Sequence, residues 1–122
     1  MIISKQNKTY KYALDERTLD FAKEIIRLSK ALLRNTANIE LIKQLIRAGT
    51  SVGANYQEAN DALGKKDFIH RLRITRKEAK ETRYWLELII EANQEFKHRI
   101  APLLKEAVEL IKIFSSIIEK VK

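Results

Sequence analysis

The spacing of apolar residues along the chain predicts four helices. In four segments, apolar or small residues recur at alternating intervals of four and three, which is the pattern of nearly parallel helices that pack along a narrow seam. The predicted helices cover about residues 14–34, 39–63, 65–93 and 99–121. In chain order the seams are Leu14, Thr18, Phe21, Ile25, Leu28 and Leu32; Ile42, Leu45, Gly49, Val52, Tyr56, Ala59 and Leu63; Phe68, Leu72, Thr75, Ala79, Thr82, Leu86 and Ile89; and Ile100, Leu104, Ala107, Ile111, Phe114, Ile118 and Val121.

Residues that start or stop helices fall between these segments. Asp15 and Asn38 are suited to cap the first and second helices. Gly64 follows the second seam, where a left-handed helix end favours glycine, and Pro102 falls in the predicted first turn of the fourth helix. The short connections predict an all-α, up-down-up-down antiparallel four-helix bundle over residues 14–122, preceded by a short extended segment over residues 1–13.

Composition supports a globular, single-domain helical protein. The chain has 122 residues, three glycines, one proline and no cysteine, which excludes disulfides and thiolate metal sites. No apolar run approaches the roughly 20 residues of a bilayer span, and the first residues lack the layout of a signal peptide. We therefore expect a cytoplasmic protein that does not enter a membrane.

The net charge of +8 favours a polyanionic partner, but a solvated basic surface is an equal alternative. On the third predicted helix, a largely basic stripe opposite Phe68 runs from Lys66 to Tyr84, over about 27 Å at 1.5 Å per residue. Glu81 and Glu87, four residues from Lys77 and Arg83, would neutralise part of this face. The candidate nucleic-acid-binding residues are Lys66, Arg73, Arg76, Lys77, Lys80 and Arg83, with His70 and Tyr84 on the same face.

Residues 48–55 contain no charge in a chain that is 33% charged. The spacing Gly49-x-x-x-Gly53 lets another backbone approach closely, although two glycines inside a helix cost about 1 kcal/mol each. The approaching element is either another helix of the same chain or a second copy. Because the outward positions are also small, we expect an oligomer interface at Gly49, Ser51, Gly53 and Ala54, with Trp85 as an aromatic anchor.

Three sequence runs carry a family resemblance. The run Arg47–Ala59 (RAGTSVGANYQEA), followed by Asp67–His70 (DFIH) and Glu78–Leu86 (EAKETRYWL), resembles the 23S rRNA intervening-sequence proteins and, more distantly, the accessory protein of diversity-generating retroelements. The resemblance implies a bacterial, cytoplasmic four-helix bundle that assembles as a ring-like homopentamer with basic surfaces. It implies no catalytic residues. The retroelement relatives imply RNA or DNA and a reverse transcriptase as partners.

Polar residues within these runs suggest a structural network rather than an active site. No nucleophile, base or glycine-rich substrate loop accompanies the acidic residues. For a metal, only Glu95 and His98 have the Glu-x-x-His spacing of bundle metal sites, so we expect no metal, no cofactor and no enzymatic activity. The candidate network residues are Arg47, Asn55, Glu58, Glu78 and Glu81.

Two functional hypotheses follow from the sequence. The first is a non-catalytic homo-oligomeric scaffold that binds nucleic acid without sequence preference through its basic surfaces. The alternative is a protein–protein interaction module whose charge serves solubility. Binding to RNA or DNA that weakens with salt would distinguish them, because only phosphate binding releases condensed counterions.

Overall fold

The computed structural model describes residues 13–122, which form four α-helices joined by short connections. The helices are α1 (Leu14–Ala31), α2 (Thr36–Asn60), α3 (Lys65–Ala92) and α4 (Lys97–Val121), with one 3-10 turn (Gln94–Phe96) before α4. The described residues contain no strand, and the prediction of an all-α bundle is confirmed. The predicted extended segment lies, except for Ala13, outside the described residues.

Consecutive helices run antiparallel. On the α1–α2 side, Ile25 lies against Gly49 whereas Thr18, earlier in α1, lies against Gly53, later in α2. Contacts on the other three sides have the same inverse order. Between α2 and α3 they are Asn38–Asn93 and Arg47–Glu81; between α3 and α4 they are Arg76–Ser115 and the cleft shared by Tyr84 and Ile111. Between α1 and α4 they are Arg17–Glu106 and Arg27–Arg99. The up-down-up-down topology follows from these pairs.

Most residues of the predicted seams lie in the core. Every residue of the first and third seams is buried, and each large apolar side chain removed from water contributes about 1.5–3 kcal/mol. In the second seam Leu63 is fully exposed, because α2 ends at Asn60. At the centre, Tyr56 and Phe114 meet across the bundle with ring centroids 6.2 Å apart.

The fourth seam is rotated relative to its prediction. The sequence pattern places Leu104 and Ile111 in the seam, but both are only half-buried. Leu103 and Leu110, one position earlier, are buried instead. Both registers satisfy the four-three alternation because α4 is apolar around most of its circumference. The spacing alone therefore does not select one register.

Threonines occupy seam positions at little cost because their hydroxyls are satisfied within the helix. Thr18, Thr75 and Thr82 donate hydrogen bonds of 2.7–2.9 Å to the carbonyls of Leu14, Arg71 and Glu78, each four residues earlier. A buried hydroxyl without such a partner would be destabilising. These bonds explain how a polar residue substitutes for an aliphatic one in three places.

The helix ends differ from the predicted caps. Asn35, not Asn38, caps α2 by accepting the Asn38 backbone N–H at 2.9 Å. Asp15 lies in the first turn of α1, and the residue that precedes α1 is Ala13, whose φ is +44°. Gly64 precedes α3 in an extended conformation rather than ending α2 in a left-handed one.

The earlier start of α4 also changes the position of Pro102. With Lys97 as the first residue of α4, Pro102 is the sixth, so it lies beyond the first turn. There its ring removes one intrahelical hydrogen bond. The prediction that it lies in the first turn is therefore wrong.

The α1–α4 side packs less extensively than the other three. The Arg17 guanidinium crosses it, donating to both carboxylate oxygens of Glu106 at 2.6 and 3.0 Å. This hydrogen bond raises the pKa of Arg17 above its usual value. A cavity of about 390 Å³ lies along the same side.

No helix in the described part of the chain combines the length and the apolar character that a bilayer crossing requires.

Candidate nucleic-acid interface

The basic face of α3, defined here as Lys66, His70, Arg73, Lys77 and Lys80, lies on the side of the helix opposite the core. All five side chains are exposed, while Phe68 on the other side is buried. Successive members are three or four residues apart, so they form one row along the helix. No acidic residue interrupts the row.

Neutralisation of this face is weaker than the sequence suggests. Lys77 and Glu81 have the spacing of an ion pair within α3, but Glu81 instead accepts a hydrogen bond of 2.7 Å from the Arg47 guanidinium on α2. Of the residues that the structure describes, none forms an ion pair with Lys66, Arg73, Lys77 or Lys80. Four cations therefore remain uncompensated on the face.

The two remaining predicted binding residues differ from these four. Arg76 is half-buried and directs its guanidinium toward α4, 3.3 Å from the hydroxyl of Ser115. Arg83 is exposed and pairs with Glu87 one turn later at 3.3 Å, as its spacing predicts. Both lie at the α4 edge of the face.

A cleft marks each end of the basic face. At the start of α3, a cavity of about 580 Å³ is lined by Lys65, Lys66, Ile69, His70, Arg73 and Lys122, with no acidic residue among them. Toward the end of α3, a cavity of about 350 Å³ is lined by Lys80, Arg83, Tyr84, Glu87 and Ile111. The charged groups that line the clefts are thus only basic at the start of α3, whereas toward its end basic, acidic and aromatic groups are mixed.

Three of the five predicted network residues are joined. Arg47 bridges α2 to α3 by contacting Glu78 at 3.4 Å and Glu81 at 2.7 Å, and the bond to Glu81 raises the pKa of Arg47 above its usual value. Asn55 donates only to the carbonyl of Ser51 in its own helix. Glu58 is exposed and has no hydrogen-bond partner among residues 13–122.

The two glycines of the charge-free stretch face α1. A Cβ on Gly49 would lie 2.9 Å from Cγ1 of Ile25, and a Cβ on Gly53 would lie 3.2 Å from Oγ1 of Thr18. The structure therefore favours the intrachain interpretation for these positions: the glycines admit α1 rather than a second copy. The interface prediction for Gly49 and Gly53 is corrected accordingly.

The other predicted interface residues reach the surface. Ala54 is exposed and Ser51 is half-buried. Trp85 is half-buried and contacts Tyr84 edge to face, with ring centroids 5.0 Å apart, while its indole N–H is buried and lacks an acceptor among the described residues. These three positions remain predictions of an interface.

Two further features were not predicted from the sequence. Leu19 and Ile26, which are not members of the predicted seam, are 54% and 41% exposed on α1. Asn38 and Asn93 are buried and exchange two amide hydrogen bonds of 2.9 and 2.8 Å between α2 and the end of α3. The exposed pair at a seven-residue spacing was visible in the sequence, whereas the asparagine pair required the fold.

The described residues hold no cluster of three or more histidine and acidic side chains that could bind a metal. Glu95 lies in the 3-10 turn and His98 in the first turn of α4, and both are exposed.

Comparisons with known proteins identify a relative. The family model described as 23S rRNA-intervening sequence protein matches residues 11–116. The crystal structure of a protein of unknown function from the S23 ribosomal protein family of Bacteroides thetaiotaomicron shares 38% identity, covers 85% of this chain and 96% of its own, and superposes with a TM-score of 0.78. No functionally curated protein is significantly similar to the chain.

Proposed function

The chain belongs to the 23S rRNA-intervening sequence protein family, and on this premise we propose that it is a non-catalytic, cytoplasmic homo-oligomer that binds nucleic acid through the basic face of α3. The phosphate backbone is the part of the ligand that this face fits. Binding would be largely independent of sequence, because phosphate contacts carry no base information.

The observation that carries this proposal is the set of four unpaired cations on one side of α3. Lys66, Arg73, Lys77 and Lys80 extend over about 21 Å at 1.5 Å per residue. Because Arg47 draws Glu81 away from Lys77, the charge is available to a ligand. An exposed row of cations attracts the phosphate backbone and releases its condensed counterions on binding.

The number of free cations sets the expected salt dependence. Each phosphate neutralised lowers the slope of log affinity against log salt by about 0.7 on single strands and 0.9 on duplex DNA. Four contacts therefore predict a slope of about −3 per chain. In an oligomer, repeated faces would add avidity to weak single contacts.

The test is a triple substitution on the basic face, Arg73→Glu, Lys77→Glu and Lys80→Glu, assayed by fluorescence anisotropy with RNA and DNA from 50 to 200 mM salt. Removal of three of the four cations should reduce the slope to about −1 per chain. The matched control carries the same charge change on α4, at three exposed lysines: Lys105→Glu, Lys112→Glu and Lys120→Glu. Far-UV circular dichroism should be the same for all three proteins.

Two outcomes would contradict the proposal. If both triple variants lose affinity equally, only net charge matters and the basic face is not a site. If the parent protein binds neither RNA nor DNA at 50 mM salt, the protein–protein interaction module becomes the better hypothesis.

Support for self-association comes from the outer surfaces of α1 and α2. Leu19 and Ile26 on α1 expose large apolar side chains, and Ser51 and Ala54 on α2 present small ones. Because Gly53 packs against Thr18, these residues lie on adjoining helices. Exposed apolar side chains on α1 beside the charge-free residues 48–55 of α2 are typical of the buried part of a protein interface.

Light scattering at micromolar concentration should therefore detect a discrete oligomer, with five chains expected from the family resemblance. Ala54→Arg should dissociate it, because an unpaired charge in a contact costs several kcal/mol. Ala101→Arg, at an exposed alanine on α4, is the control. A monodisperse monomer would refute self-association, and an oligomer unchanged by Ala54→Arg would place the contact elsewhere.

A further inference from the structure

We propose that the cleft around Tyr84 binds an unpaired nucleobase, so that the protein prefers single strands to duplex. The inference rests on the proposed function and adds a second kind of contact to it. The cleft of about 350 Å³ is lined by Lys80, Arg83, Tyr84, Glu87 and Ile111.

The position of the cleft suggests a base rather than another phosphate. It begins at Lys80, the last cation of the basic face, and the next polar group beyond Tyr84 is the carboxylate of Glu87. Because Glu87 already pairs with Arg83 at 3.3 Å, a phosphate would have to compete with that carboxylate, whereas a neutral base would not. A strand whose phosphates follow Lys66 to Lys80 would bring a base to Tyr84.

The chemistry of the lining fits an aromatic ligand. Tyr84 is 56% exposed, and the edge-to-face contact of its ring with Trp85, at a centroid distance of 5.0 Å, leaves part of the phenol surface open to a ligand. Ile111 supplies an aliphatic wall from α4, and Arg83 supplies a guanidinium at the rim. Aromatic rings flanked by cations are the usual platforms on which single-stranded nucleic acids stack their bases.

A base inside a duplex is stacked on its neighbours and cannot enter such a cleft. Duplex would therefore gain only the phosphate contacts of the basic face, while a single strand would gain both. The part of the single-strand affinity that comes from the base should depend on Tyr84 and not on salt.

The experiment compares three DNA ligands of equal length: a single strand, a duplex and a strand of abasic sites, which keeps the phosphates but has no bases. Tyr84→Ala should weaken single-strand binding by about 5- to 150-fold and leave duplex binding and all salt slopes unchanged. Tyr84→Phe should retain the affinity of the parent. The abasic strand should bind the parent and Tyr84→Ala equally.

Trp85 provides a separate readout because it is the single tryptophan of the chain and touches Tyr84. The single strand should change its fluorescence, and the abasic strand should not. If the parent binds single and abasic strands equally while keeping its salt slope, the base site is refuted but the proposed function stands. If the parent binds none of the three DNA ligands, both the base site and the proposed nucleic-acid binding are refuted.

Discussion

Gly49→Ala should destabilise the protein, although alanine favours helices more than glycine does. The added Cβ would lie 2.9 Å from Cγ1 and 3.1 Å from Cγ2 of Ile25, where carbon atoms ordinarily rest about 3.5–4.0 Å apart. Ile25 is fully buried and β-branched, so its Cγ atoms have few alternative rotamers in a helix. The steric clash, rather than the helical preference of alanine, should therefore determine whether Gly49→Ala raises or lowers the free energy of unfolding.

The magnitude follows from two opposing contributions. Replacement of glycine inside a helix gains about 1 kcal/mol, and overpacking of a tight core costs about 1–3 kcal/mol. We expect a net loss of between zero and about 2 kcal/mol in the free energy of unfolding. Gly53→Ala, whose Cβ would meet Thr18 at 3.2 Å and beyond, should change it by less than about 1 kcal/mol.

The assay is urea unfolding at one fixed protein concentration, because oligomer stability depends on concentration. Gly64→Ala is the matched control, since a Cβ there meets no atom within 4 Å. In an Ile25→Ala background the clashing Cγ atoms are absent, so Gly49→Ala should become neutral or stabilising. That difference is a coupling of about 1–3 kcal/mol between the two sites.

Two results would refute this reasoning. A stabilisation of about 1 kcal/mol by Gly49→Ala alone would mean that α1 does not approach α2 as closely as described. A change in oligomer mass at unchanged stability would restore Gly49 to an interface between copies.

Three further predictions concern polar contacts between helices. Arg17→Met should lower the free energy of unfolding by about 1–2 kcal/mol, because it removes a two-pronged contact on the weakly packed α1–α4 side; Arg27→Met, at an exposed pair within α1, should have little effect in the same urea titration. Asn93→Ala should cost about 1–3 kcal/mol because it leaves the amide of buried Asn38 without its partner, and a change below 0.5 kcal/mol would contradict the pairing. Arg47→Ala should reduce the salt slope of nucleic-acid binding by about 0.7–0.9 by releasing Glu81 to pair within α3, and an unchanged slope would contradict that exchange.

Much of the fold follows from the periodicity of the sequence. A seam residue such as Phe21 or Leu72 has a buried position fixed by its neighbours three and four residues away, and both are buried. Periodicity does not identify the buried face where apolar residues surround a helix. On α4, whether Leu103 or Leu104 is buried depends on how α4 packs against the other helices, and the sequence around the two leucines does not contain that information.

Helix ends were predicted less well because several residues compete for each role. Asn35 and Asn38 are both good caps, and the structure uses the first as a cap and the second as a buried partner of Asn93. Gly64 suits a left-handed helix end, yet α2 ends four residues before it. Composition identifies the break between helices, but the tertiary contacts select the residue.

The candidate nucleic-acid interface was also only partly predictable from the sequence. The row from Lys66 to Lys80 was predictable, since its exposure follows from the position of Phe68 on the same helix. The ion pairs of α3 were only partly predictable. Arg83 pairs with Glu87 as its spacing predicts, but Glu81 pairs with an arginine on another helix. The family resemblance, by contrast, was confirmed, because its motifs are contiguous in sequence.

The pairing of α2 with α3 determines how much positive charge α3 offers. By sequence, α3 carries eight basic and five acidic residues, an excess too small to distinguish a binding face from a solvated one. In the fold, a single arginine of α2 engages two of the five carboxylates, and only Arg71 and Arg83 pair within α3. Six of the eight cations of α3 therefore form no ion pair within the described residues, and the face is more cationic than the net charge indicates. If the basic face binds nucleic acid as proposed, Arg47 on α2 would therefore affect the strength of binding, because it engages carboxylates that could otherwise pair with cations of α3.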